Sequence, residues 1–165
     1  MQVSGAEKKV ASTAGMQDSV RTSQLIDYRV SHCVNENLNE LRQALANKDF
    51  PGLAAVTMRE SNQFHAICMD TVPPIFYLNA TSLQIIEFVN VINEVCGSPR
   101  LAYTFDAGPN AFLIFEQASE SLVKRLLDFS FHTSVGTGSG DALGVTDDQM
   151  RVARDSIWNF GFIFH

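Results

Sequence analysis

The 165-residue chain has no apolar stretch near the roughly 18 to 20 residues that a membrane-spanning helix needs. Its first residues, Met1-Gln2-Val3-Ser4-Gly5-Ala6-Glu7-Lys8-Lys9, contain no apolar signal core, which argues against secretion. Basic residues are scarce: 12 Lys+Arg stand against 18 Asp+Glu, a formal charge of −6. A nucleic-acid surface calls for the opposite balance, so any phosphate site here is a local feature on an acidic background. Only three cysteines occur, Cys33, Cys68 and Cys96, odd in number and without paired spacing. That argues against a disulfide frame or a zinc knuckle, and for reduced thiols in a cytosol-like compartment. There is no internal repeat and no low-complexity run. What is present is 45% hydrophobic and 18% charged residues. Such a balance can bury a core over one compact domain, and it excludes a disordered tail.

The hydrophobic period is helical over most of the chain. Ser12 or Thr13 reads as a helix N-cap ahead of Ala14, Met16 and Val20. From Gln24 to about Lys48, Leu25, Ile26, Val30, Val34, Leu38, Leu41 and Leu45 recur at three and four, the spacing of one helix face. Asp49-Phe50-Pro51 restarts a helix, with Asp49 as cap and Pro51 in the first turn. Val72-Pro73-Pro74 breaks it, because neither proline has an amide proton to donate. Thr81 or Ser82 caps a further helix, which ends at Gly97 in the left-handed conformation.

The period then changes to two. Leu101, Tyr103 and Phe105 alternate with Ala102, Thr104 and Asp106, the spacing of a strand. Ala107-Gly108-Pro109-Asn110 is a turn, and Ala111-Phe112-Leu113-Ile114-Phe115 reads as a buried return strand. A helix over about Ala118 to Phe129 follows. The expected class is α+β, helices packed on a small antiparallel sheet. The expected division is a domain over residues 1–131 and a divergent Gly/Ser loop and aromatic tail over 132–165, with Ile157 to Phe164 a sticky surface if exposed.

Four places can carry chemistry. Asp106 leaves the strand where Gly108 permits close approach, and its face-mates Ala102 and Thr104 are small enough to leave room for a ligand. A carboxylate there can act as general base or orient a hydroxyl, or it can simply bond the turn amides two residues on. Ser12 and Thr13, with Lys8 and Lys9 before them, offer hydroxyls and free amides at a helix N-terminus, where an anionic phosphate is well received; they equally suit ordinary capping. The run Arg59-Glu60-Ser61-Asn62-Gln63-Phe64-His65 is dense in polar groups: Arg59 could face a phosphate and His65 could transfer a proton, while the bland reading is a solvated face with one buried, satisfied histidine. Gly136-Thr137-Gly138-Ser139-Gly140 lacks the Lys-Ser/Thr pair of a phosphate loop and reads as a flexible linker. No metal site is expected.

Three long motifs, in order, then carry a resemblance. They are Lys8-Lys9-Val10-Ala11-Ser12-Thr13-Ala14-Gly15-Met16, the run from Thr57 to Ala66 with its sequel Asp70 to Ala80, and Tyr103-Thr104-Phe105-Asp106-Ala107-Gly108-Pro109-Asn110-Ala111. Over about residues 3 to 131 the chain resembles the mevalonate diphosphate decarboxylases, the animal enzymes in particular. The resemblance implies the C-terminal domain of the two-domain fold shared by the galactokinase, homoserine, mevalonate and phosphomevalonate kinases. It implies an enzyme that uses ATP and Mg2+ to convert mevalonate 5-diphosphate to isopentenyl diphosphate, releasing carbon dioxide, ADP and phosphate on the route to isoprenoids and sterols. It implies a cytosolic homodimer. Asp106 matches the family's catalytic aspartate, which contacts the tertiary hydroxyl, and Ser12 and Thr13 match positions lining the diphosphate site. The family's N-terminal half, with the Gly/Ser-rich ATP loop and the Lys and Arg residues that hold substrate, has no counterpart here. The chain alone is therefore expected to be inactive. The rival expectations are a non-catalytic module that pairs with a full-length subunit, and half of a related small-molecule kinase.

Overall fold

The structure, a computed structural model, describes residues 10–131. The expectations placed on Lys8, Lys9, the Gly/Ser loop and the aromatic tail lie outside those residues. The described chain is α+β. Helix α1 (Ser12–Thr22) and α2 (Leu25–Tyr28) come first, then a π-helical turn (Arg29–Cys33) leads into α3 (Val34–Asn47). Then come α4 (Phe50–Asp70), α5 (Ala80–Val95), strands β1 (Leu101–Phe105) and β2 (Ala111–Phe115), and α6 (Glu120–Phe131). The strands pair antiparallel, with Leu101 opposite Phe115 and Phe105 opposite Ala111.

Several boundaries follow from named side chains. The Asp49 carboxylate accepts the Gly52 amide at 3.1 Å and starts α4, as its place before Phe50-Pro51 predicts. Gly97 closes α5 at φ 67, a conformation that costs a residue without a Cβ little. The N-cap of α5 is Asn79, not Thr81 or Ser82: Asn79 Oδ1 accepts the Ser82 amide at 3.0 Å, and Ser82 returns the bond to the Asn79 amide. The long helix expected from Gln24 to Lys48 is interrupted by the π turn. There Arg29 reaches across to α4, donating from Nη1 and Nη2 to both carboxylate oxygens of Glu60 at 2.8 and 2.7 Å.

The main core lies between α5, the sheet and α6. Ile85, Phe88, Val89 and Ile92 pack on Leu101, Tyr103 and Phe105 of β1, with Leu122, Val123 and Leu126 of α6 closing over them. Helix α4 packs closely against β1. Two expectations about the sheet change. Strand β2 is not fully buried, because Phe112 is 58% exposed and Ile114 lies near the surface. Nor is the small-residue face of β1 open along its length: Ala102 is buried under Phe50 and Ala54 of α4, so the room for a ligand is confined to the Asp106 end.

Candidate functional site

Asp106 follows the last residue of β1 and is exposed, while its neighbours Phe105, Ala107 and Gly108 are buried. The turn is held through its backbone. The Gly108 amide donates to the Asp106 carbonyl at 2.7 Å, and Ser82 Oγ donates to the Pro109 carbonyl at 2.9 Å. The turn amide thus meets the main chain of Asp106 rather than its carboxylate. A fixed backbone under a solvent-facing carboxylate suits a group that meets a ligand.

Ser12 and Thr13 are brought to the same end of the molecule. Ala107, next to Asp106, is buried in a small cluster with Cys68, Ile75 and Tyr77, against which Val10 packs two residues ahead of α1. Ser12 and Thr13 are exposed in the first turn of α1, but neither is its cap. Ala11 holds the cap position, and alanine has no side chain to bond the first amides. Among the described residues no side chain caps those amides, and an anion is well received at such a helix start.

Two further residues join these pieces, Tyr77 and, from the polar run, Ser61. Tyr77 is buried at 8% exposure and its ring lies parallel to Phe64, with centroids 6.4 Å apart. Its hydroxyl has no hydrogen-bond partner among the described residues and sits against Gly15, where an added Cβ would lie 2.3 Å from it. Burial pushes the Tyr77 phenol above its ordinary value, with the Cys68 thiol acting in the same direction. The trace of this contact in the sequence is Gly15 itself, since glycine inside a helix costs stability unless something needs the space. Ser61 is the other: buried on α4, it accepts the Phe105 amide at 3.1 Å.

The Arg59–His65 run divides. Arg59 donates to Asn37 and pairs with Glu40, so it does not face a phosphate. His65 is buried, as the bland reading had it, but it is not satisfied: its Nε2 has no partner among the described residues, and its ring stands edge-on to Phe64 and Phe105. Burial pushes its imidazole below the ordinary value, against the opposing pull of the Phe105 backbone and the Asp106 charge. Among the described residues no three His, Cys, Asp or Glu side chains gather to hold a metal ion.

Helices packed on a small two-stranded antiparallel sheet define the class: a domain of the small-molecule kinase-like fold. The chain belongs to the family described as mevalonate 5-diphosphate decarboxylase C-terminal domain, whose model matches residues 1–152. A diphosphomevalonate decarboxylase of Danio rerio is 52% identical over 111 residues, covering 67% of this chain and 28% of that protein. A crystal structure of a mevalonate 5-diphosphate decarboxylase superposes with TM-score 0.76 at 39% identity, over 99% of this chain and 39% of that one. A solved complex of MDDEF with MVAPP, AMPPCP and magnesium superposes with TM-score 0.72 at 29% identity, over 79% of this chain and 39% of that one. The chain spans about a third of the length of the curated relatives it matches.

Proposed function

We propose that this chain supplies the catalytic carboxylate and the diphosphate-binding helix terminus of an ATP-dependent mevalonate 5-diphosphate decarboxylase acting in isoprenoid and sterol synthesis. The observation that carries this reading is the exposed Asp106 on a backbone-held turn whose next residue, Ala107, packs in one cluster with Val10 at the foot of α1. The substrate carries a tertiary alcohol and a carboxylate. Asp106 meets the hydroxyl and accepts or orients its proton as that oxygen takes the phosphoryl group. The oxygen then leaves as phosphate, and the electrons of the C–carboxylate bond form the alkene as carbon dioxide departs. Ser12 and Thr13 hold the substrate's diphosphate with the free amides of α1. ATP and Mg2+ are the co-reactants of this reading, held mainly by the N-terminal part that the longer relatives carry. Residues 1–131 form the functional unit of this chain, with 132–165 an appendage. Free thiols at Cys33, Cys68 and Cys96 support a cytosolic setting.

The test is to fuse the chain to the N-terminal two thirds of the Danio rerio relative and supply mevalonate 5-diphosphate, ATP and magnesium. Release of carbon dioxide with ADP supports the reading. ADP without carbon dioxide would assign a kinase instead, and neither product would remove the enzymatic role.

A second reading, a module that pairs with a full-length subunit in a dimer, is favoured by exposed Met16, Val20, Tyr28 and Val30, each more than 60% exposed. Co-elution of this chain with the full-length relative on size exclusion supports it, and separate elution removes it.

A further inference from the structure

Something must aim the Asp106 carboxylate, and the main chain around it is gripped from α4. Phe105, the last residue of β1, turns its amide away from β2 and donates it to Ser61 Oγ at 3.1 Å. In an antiparallel strand the amide and carbonyl of one residue point to the same side, so the peptide leading from Phe105 into Asp106 also faces α4. One helical turn after Ser61, on the same face, is His65. Its ring stands edge-on to Phe105 at 6.2 Å and 79°, close enough that the Phe105 backbone and the Asp106 charge both act on it. Ser61, His65 and Phe105 are 4, 8 and 4% exposed.

Both polar side chains occupy a helix face otherwise buried through Phe50, Ala54 and Cys68. Burying a hydroxyl and an imidazole there is costly, and His65 Nε2 has no partner among the described residues. Apolar residues would pack there at less cost; what they would not do is grip the peptide before Asp106. We propose that Ser61 and His65 are positioning residues that hold the Phe105–Asp106 peptide from α4 and so aim the Asp106 carboxylate at the reacting hydroxyl. This rests on the decarboxylase reading of Asp106.

The experiment has two arms. In the fused enzyme, Ser61→Ala and His65→Leu are expected to lower kcat at least tenfold while KM for mevalonate 5-diphosphate stays within threefold. Ser61→Thr, which keeps the hydroxyl, is expected to restore kcat to within threefold. In an Asp106→Asn background neither substitution is expected to lower the residual rate further, because both act through that carboxylate. Unchanged kcat in the single variants, or an equal loss in the Asp106→Asn background, would overturn the proposal. The second arm needs neither substrate nor turnover. The ring of His65 is titrated by NMR in the 165-residue chain, with and without Asp106→Asn. A lower midpoint in the variant is expected from loss of the neighbouring negative charge, and an unmoved midpoint would overturn the proposed coupling of His65 to the Asp106 end of the strand. If Asp106→Asn retains full turnover, the decarboxylase role of Asp106 fails, and the titration still decides whether His65 senses that carboxylate. Should a variant at 61 or 65 not fold, the same titration of the parent chain decides.

Discussion

Gly15 and Tyr77 show how single side chains join distant parts of this molecule. The Tyr77 hydroxyl is buried, has no partner among the described residues and lies against Gly15. Gly15→Ala is expected to destabilise by about 1 to 3 kcal/mol, because the new methyl meets a ring that is stacked on Phe64. Tyr77→Phe should be neutral or stabilise by about 1 kcal/mol, since it removes an unsatisfied buried hydroxyl. It should also relieve most of the Gly15→Ala penalty, so the two changes will not add. Chemical denaturation of the four proteins tests this, and simple additivity would contradict it. His65 gives a pH dependence. Its folded-state value is pushed below the ordinary one by burial, so the unfolded chain takes up the proton first as pH falls. Stability should therefore be full above the ordinary histidine range and decline as pH drops from roughly 7 towards 5. His65→Gln should flatten that decline, as thermal melts across the interval will show.

At the scale of elements, the N-terminus of α5 is tied to the site. The capping box of Asn79 and Ser82 starts the helix, and Ser82 also holds the Pro109 carbonyl in the Asp106 turn. Asn79→Ala is expected to cost about 1 kcal/mol, read as a lower denaturation midpoint with an unchanged slope. How much of this was legible beforehand depends on the range of the interaction. Asp49, Pro51 and Gly97 act within three or four residues, and the boundaries they set match the structure. The strands were legible because period two is local, and so was Asp106, at the end of that alternation. Asn79 lost out to Thr81 and Ser82 because several adjacent residues can all cap, and only the backbone geometry chooses. The π turn was not legible because its partner Glu60 lies 31 residues on. The burial of Ala102 and the partial exposure of β2 depend on which helices cover each face, which no short-range pattern encodes. The packing of Val10, two residues ahead of Ser12, on the cluster of Cys68, Ile75, Tyr77 and Ala107 is long-range and left no local trace.

Over the whole molecule, α4 organises the arrangement. It packs on α3, touches α1, and grips β1 at Phe105 through Ser61. The far end of the helix reaches α1 as well: Ser19 Oγ meets Thr71 Oγ1 at 2.8 Å, and Ser23 Oγ donates to Asp70 at 2.7 Å. Carboxylate and helix terminus are thus mounted on one packed body. In the fused enzyme the most direct measurement is steady-state carbon dioxide release by Asp106→Asn against the parent. A loss of about a hundredfold or more in kcat with KM for mevalonate 5-diphosphate nearly unchanged is the expected result for a group that acts on the reacting hydroxyl. A variant that turns over at the parental rate would contradict it.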